Sequence, residues 1–302
     1  MSDGNRISSS VQVENITDAD LAAARAALGL VDLPPLSNTG VTDFSGGSSS
    51  GSWCGLDYLT VTFRGELSRD VVLGAGCPLE VLRQASAVVN RKYAQQWDLY
   101  PAGRLFHHPE ALRQGWLLEL KGADLAALRA AGVSDGQLLS WLVGHEGLLN
   151  LCRLDVALDF LNVGAPVAAL RDSYERGGMV TRLSDKWIDS LAADGSRAWT
   201  LYLGAVESEK RLVIYDKGRE RGELAQEWTR VELRVKRRQG LAVARAICEG
   251  GALAVLKDVA MRTVLFDGSW WGDKMTSADG RLVEPVRREG TNTALWVTRT
   301  AL

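Results

Sequence analysis

Residues 151–160, Leu-Cys-Arg-Leu-Asp-Val-Ala-Leu-Asp-Phe, set Leu154, Val156 and Leu158 against Arg153, Asp155 and Asp159 at the alternating positions. Side chains of a strand alternate between its faces, so this stretch predicts a strand with one apolar face and one that carries an arginine and two carboxylates. Central strands are poor in charge, and such a face needs a polar cleft or a solvated sheet surface. Four residues along a strand span about 13 Å, so Asp155 and Asp159 are too far apart to share one ion. The plain alternative is that Asp155 pairs with Arg153 or with a base on the next strand.

Working outward, residues 57–63 (DYLTVTF) alternate Leu59, Val61 and Phe63 with Thr60 and Thr62, another half-buried strand. Further strands are expected near Leu105 and at 115–121, 198–204, 211–215 and 228–236. Helices are expected at 78–91, 124–131, 135–145 and 166–176, and again after Gly240. The fold class is therefore α+β, mostly antiparallel sheets with packed helices. Both halves read as a strand, a helix, two or three strands, then helices, which hints at a duplicated strand-helix-strand-strand unit. Residues 1–52, rich in Ser, Gly and Asp, bury too little apolar surface to offset chain ordering and read as a disordered tail with one short helix at 17–30. Residues 53–271 hold the folded domain, and 272–302 read as a polar, loosely ordered tail.

The chain has 302 residues, 46% hydrophobic and 24% charged, an ordinary composition for a soluble globular protein. It has no apolar run of membrane-spanning length, and its first residues lack a signal-peptide pattern, so a cytoplasmic protein without membrane contact is expected. Four scattered cysteines form no CxxC pair, and three histidines leave little for a histidine-rich metal centre. A metal here would need carboxylates. The net charge of -2 excludes a uniformly basic surface, but residues 209–238 hold ten Lys or Arg against six Asp or Glu. Such a local stripe can contact phosphate, or be a solvated face.

Residues 211–220 (RLVIYDKGRE) put Tyr215 beside Asp216 where an apolar run meets Lys217-Gly218. In an unbroken strand the two point to opposite faces; a bulge or strand end would bring phenol and carboxylate into one pocket. A phenol is a poor nucleophile at its ordinary pKa near 10 and needs a cation, metal or base beside it. Attack of a phenolate on a DNA phosphodiester builds charge that a carboxylate-held divalent ion and basic side chains stabilise. Lys217, Arg219 and Arg211 stand near enough in sequence to position the phosphate. In residues 228–238 (WTRVELRVKRR), Arg230, Glu232, Arg234 and Lys236 share one face, a basic ladder with an acid in its middle. That face suits a polyanion, with Glu232 as metal ligand or as a clamp on the arginines; cross-strand ion pairs are the bland reading.

Taken in order, DYLTVTF, RLDVALDF, TLYLGAVESEKRLVIYDKGRE and WTRVELRVK resemble the replication initiation factor family. These are the trans-acting Rep proteins of rolling-circle plasmids and filamentous phages, together with relaxases of some conjugative elements. The resemblance runs over about residues 56–266 and rests on R-x-D-x-A-x-D, then T-x-Y-x-G with a following serine and an R-x-x-x-Y-D-K, then W-x-R-x-E-x-R. It implies a sequence-directed DNA nicking and rejoining enzyme whose tyrosine stays joined to the 5' phosphate, leaving a 3' hydroxyl. That tyrosine falls on Tyr215, with Lys217 beside it. The metal acids fall on Asp57, Asp155 or Asp159, and Asp216, with Glu232 as a further support. Mg or Mn is implied, because LFHHPE at 105–110 lacks the His-hydrophobe-His pattern of another rolling-circle superfamily; His107 and His108 are then structural or phosphate contacts. The DNA-binding set is Arg153, Arg211, Arg219, Arg230, Arg234, Lys236, Arg237 and Arg238. The resemblance also implies a replication or transfer origin as target, a dimer on DNA and a host helicase partner. The other readings are a conjugative relaxase with the same chemistry, a non-catalytic DNA-binding copy-control protein, and a protein whose charge pairs are only salt bridges.

Overall fold

The computed structural model describes residues 50–74, 76–88, 92–191, 197–223, 225–275, 282–287 and 294–299. The expected short helix at 17–30 lies outside them. In chain order the elements are β1 (Gly51–Phe63), α1 (Arg69–Val72), β2 (Glu80–Gln84), β3 (Gln95–Tyr100), β4 (Arg104–His107), β5 (Trp116–Lys121), α2 (Gly122–Ala130) and α3 (Asp135–Gly144). Then follow β6 (Leu149–Leu161), α4 (Val167–Glu175), β7 (Met179–Thr181), β8 (Asp185–Leu191), β9 (Arg197–Leu203), β10 (Lys210–Asp216), α5 (Lys217–Arg221), β11 (Trp228–Val235), α6 (Arg237–Gly250) and α7 (Ala252–Thr263). The last are β12 (Val264–Phe266), α8 (Trp271–Met275), β13 (Leu282–Arg287) and β14 (Ala294–Arg299).

Ten strands form one sheet in the order β2-β3-β4-β5-β1-β6-β11-β10-β9-β8, with every neighbouring pair antiparallel. The fold is α+β, as the sequence predicts. The order is also symmetric about the β1/β6 seam. Each half lays down its central strand, passes through a helix, and returns as a four-strand meander whose last strand pairs with the first. Two helices then follow, α2 and α3 in one half, α6 and α7 in the other. The repeated order of elements hinted at in the sequence is thus present as topology.

On β6 the apolar set Leu154, Val156, Leu158 and Phe160 is buried, joined by Leu59, Val61 and Phe63 from β1 and Val231, Leu233 and Val235 from β11. Helices α6 and α7 pack on this side, with Val243, Ala244, Ile247, Leu256 and Ala260 in the same core. Fully burying one such aliphatic side chain contributes roughly 1.5–3 kcal/mol. Helix α3 starts on a reciprocal cap: Gln137 N donates to Ser134 Oγ at 3.2 Å and Ser134 N to Gln137 Oε1 at 2.8 Å.

One expectation is corrected. Residues 78–91 were to be a helix, but Glu80–Gln84 form strand β2 against β3. Leu79 is buried and Leu82 is 40% exposed, so this i, i+3 apolar pair does not share a face. Beyond residue 272, β13 and β14 pair as an antiparallel hairpin. No helix among the described residues is long and apolar enough to cross a membrane.

Candidate active site

The face of the sheet opposite the α6/α7 core is polar because of register. Across the strands, Asp155 stands opposite Tyr58 and Arg234, and Arg234 opposite Arg211. Four residues along, Asp159 stands opposite Arg230, and Arg230 opposite Tyr215. Between these rows Glu232 lies opposite Ala157 and Val213. Partners in register share a face, so Tyr215, Arg230, Glu232, Arg234, Asp155, Asp159 and Arg153 all lie on it.

Asp57 joins them through a β-bulge. The β1/β6 register shifts between Leu56 and Tyr58, where β1 runs beyond the end of its pairing with β5. The unpaired edge there is held by side chains: Leu56 N donates to Asp135 Oδ2 at 2.8 Å and Arg129 Nη1 donates to the Leu56 carbonyl at 3.3 Å. Bulges re-aim side chains, and this one brings Asp57 to Arg230.

Two charged groups result. In the first, Arg230, with 0% side-chain exposure, donates Nε and Nη2 to the two Asp159 oxygens at 2.7 Å each, and Nη1 to Asp57 Oδ1 at 2.8 Å. Burial pulls the Arg230 guanidinium down, and Asp159 and Asp57 more than reverse this, so it is held well above its ordinary value. In the second, Arg234 Nε donates to Glu232 Oε1 at 2.6 Å, while Arg153 binds Asp155 through Nε at 2.9 Å and through Nη2. Burial and the Glu232 charge push Asp155 up to about 8. Burial opposes ionisation of Glu232 too, but Arg234 outweighs it and draws this carboxyl down to about 2.

Tyr215 stands at the meeting of the two groups. Its Oη donates to Glu232 Oε2 at 3.3 Å and its ring lies 5.6 Å from Lys217 Nζ. Burial first, then Glu232, raises the phenol far above its ordinary value. Lys217 has 0% side-chain exposure and donates to Glu220 Oε2 at 2.6 Å; burial and Arg230 lower its ammonium. Asp57 is raised by burial and by Glu232, with Arg230 and Lys217 opposing. The phenol, two carboxylates and a buried ammonium therefore lie within electrostatic reach of one another.

Other expected residues fall elsewhere. The β10/β11 register is unbroken through Asp216, so Tyr215 and Asp216 take opposite faces. Asp216 caps α5, accepting from Arg219 N at 3.0 Å and Arg219 Nε at 3.1 Å. Asp159 has both oxygens on Arg230, and Arg230 has no exposed surface to offer a phosphate. Arg153, at 37% side-chain exposure, and Arg234 remain reachable, and Arg211 lies over the Tyr202 ring at 4.1 Å. Lys236 Nζ donates to the Val206 carbonyl, Arg237 is exposed near Glu209, and Arg238 is exposed. His107 stacks on Trp116 with ring centroids 3.9 Å apart. Tyr58, Tyr202 and Glu220 were not anticipated, though Tyr58 precedes the alternating run Leu59–Phe63 on the face that run leaves polar.

Among the described residues, no group of three or more His, Cys, Asp or Glu is gathered as a metal cage. Glu232 accepts from Tyr215, and Asp57 lies within electrostatic reach of both.

A search of curated protein sequences finds no match to this chain. Among solved structures, the chain is similar to one described as a rolling circle replication initiator protein from Geobacillus stearothermophilus, with a TM-score of 0.56 and 19% identity, covering 72% of this chain and 87% of that one. At that identity the likeness concerns the fold. The sequence model described as replication initiation factor matches residues 149–268, the segment that carries Asp155, Asp159, Tyr215, Lys217, Arg230 and Glu232. Over that segment, 120 of the 302 residues, the chain is similar to the replication initiation factor family.

Proposed function

We propose that this protein starts rolling-circle DNA replication by cutting one strand at an origin through a 5'-phosphotyrosine intermediate on Tyr215, and later rejoins it. The observation that carries this is the Tyr215 phenol on Glu232 at 3.3 Å, on a polar sheet face between buried cations. In the cutting step Tyr215 Oη bonds to phosphorus, the bond from phosphorus to the 3' oxygen breaks, and that oxygen leaves as a 3' hydroxyl. The phenol proton leaves to water, and Glu232 Oε2, its present acceptor, orients the phenol. Lys217, wholly buried with Glu220 fixing Nζ, lies 5.6 Å from the Tyr215 ring and favours the phenolate electrostatically, while the departing oxygen takes its proton from water. Arg153 and Arg234 position the DNA backbone, charge-assisted contacts that carry no sequence information themselves.

Asp57 and Glu232 suit a Mg or Mn ion, because Mg commonly takes one or two carboxylates and fills its shell with water and substrate phosphate. Bound there, the ion would neutralise the phosphate and the carboxylate charge that keeps the phenol protonated. A transfer origin in place of a replication origin would use the same chemistry, the relaxase variant of this reading. The test is incubation with supercoiled origin DNA and Mg or Mn. Wild type yields nicked circles and a tyrosyl-nucleotide peptide at Tyr215 by mass analysis, and Tyr215→Phe yields neither. Nicking by the phenylalanine variant at the wild-type rate would end the proposal.

A further inference from the structure

The polar face carries two arginine-on-tyrosine stacks whose tyrosines have no part in the cutting step. On the β1/β6 side, the Arg153 guanidinium lies over the Tyr58 ring at 4.7 Å, and Tyr58 Oη donates to Glu119 Oε1 at 3.0 Å. On the β9/β10 side, Arg211 lies over the Tyr202 ring at 4.1 Å, and Arg211 Nε is buried without a hydrogen-bond partner. Both tyrosines are half-buried. Strand β11, with Glu232, lies between them in the sheet order, and four strand steps from β1 to β9 span about 19 Å at ~4.8 Å each.

The first half of the sheet explains why one stack stands apart from chemistry. Lys121 stands opposite Tyr58 as Arg234 stands opposite Asp155. That correspondence puts Glu119 at the place of Glu232 and Phe106 at the place of Tyr215. This half keeps an acid but has no phenol at the nucleophile's position. Arg104, Lys121 and Tyr58, all half-buried, lie on the same face.

We propose that Tyr58 with Arg153, and Tyr202 with Arg211, are stacking platforms for unpaired bases on either side of the phosphate presented to Tyr215. Aromatic rings and arginine planes accept any base by its π-face, and stacking requires a base out of the duplex. The face therefore selects single-stranded DNA. This rests on the reading that the substrate is DNA cut at Tyr215, but its test does not need cutting.

The probe is fluorescein-labelled dT12 and the matching dT12·dA12 duplex, measured by anisotropy with the full chain in EDTA. Tyr58→Ala and Tyr202→Ala should each weaken dT12 binding at least about fivefold, within the range known for one stacked base. Tyr58→Phe and Tyr202→Phe should stay within about twofold, and duplex binding should change less than about twofold in all four. Should Tyr58→Ala fail to melt cooperatively, Tyr58→Leu takes its place, keeping bulk without a ring. The idea is overturned if wild type does not bind dT12, if the alanine variants bind it like wild type, if phenylalanine loses as much as alanine, or if duplex binding falls equally. Loss of dT12 binding in the alanine variants alongside undiminished nicking by Tyr215→Phe would defeat only the catalytic reading; a nicking enzyme with ordinary dT12 binding in those variants would defeat only this one.

Discussion

Replacing Arg230 by methionine should unfold the protein several degrees earlier, by an amount the geometry sets. Arg230 gives Asp159 both of its charged contacts at 2.7 Å, and Asp159 is wholly buried. It also gives Asp57 a contact at 2.8 Å. Removing one side of a buried ion pair leaves uncompensated charge and costs about 3–5 kcal/mol. For the 219 residues of the folded domain, 53–271, an unfolding entropy of roughly 2.1 cal/mol/K per residue gives about 0.46 kcal/mol per degree, and hence a melting shift of about 7–11 °C. Calorimetry at pH 7 measures this directly. The double variant Arg230→Met with Asp159→Leu should recover much of the loss, since an apolar pair can replace a buried ionic one at little cost. A single variant melting within about a degree of wild type, or a double variant that falls by the sum of the two singles, would refute the argument that buried charge sets the penalty.

Asp216 separates capping from metal binding: Asp216→Asn should keep stability and nicking, while Asp216→Ala should lose about 0.5–2 kcal/mol in urea denaturation with nicking preserved where folded. Equal loss of nicking in both would make it a ligand. Asp155 holds its proton in the folded state to about pH 8 and releases it near 3.8 when unfolded, so the folded chain binds more protons between those values and stability falls as pH rises through that window. Urea titrations at several pH values should show a weaker decline for Asp155→Asn, and identical slopes would exclude Asp155 as their source. Gly115 has φ +69° and a Cβ there would sit 2.0 Å from the Phe63 carbonyl oxygen, so Gly115→Ala should destabilise by more than about 1 kcal/mol. A neutral melting curve would mean that the approach of Gly115 to the end of β1 relaxes freely.

The sequence made legible what depends on period alone. Alternation at Leu154–Phe160 and Trp228–Val235 placed Arg153, Asp155, Asp159, Arg230, Glu232 and Arg234 on one face, where the structure has them. It did not say which charge meets which. Arg230 reads as a phosphate contact in a basic ladder, and only the sheet order brings it against Asp159 and Asp57. The position of Asp57 depends on Arg129 of α2 and Asp135 of α3, more than 70 residues away, which hold the bulge by side-chain contacts. Asp216 was locally decidable: an acid three residues before an amide it can accept from is an N-cap pattern, hidden because Lys217-Gly218 reads as a turn. At 79–84 the local pattern suits both periods, and pairing with β3 decides for a strand.

The two-fold order of the sheet has a practical consequence for how the chain could be divided. Its midpoint, between Gly144 and Leu149, joins two units that each carry a central strand, a meander and a helix pair. Separated there, each unit would bare a 13-residue strand, β1 or β6, along its whole hydrogen-bonding edge. Such an edge invites pairing with the first complementary strand it meets. Two fragments expressed together should therefore find each other by rebuilding that seam, and either fragment alone should self-associate through it.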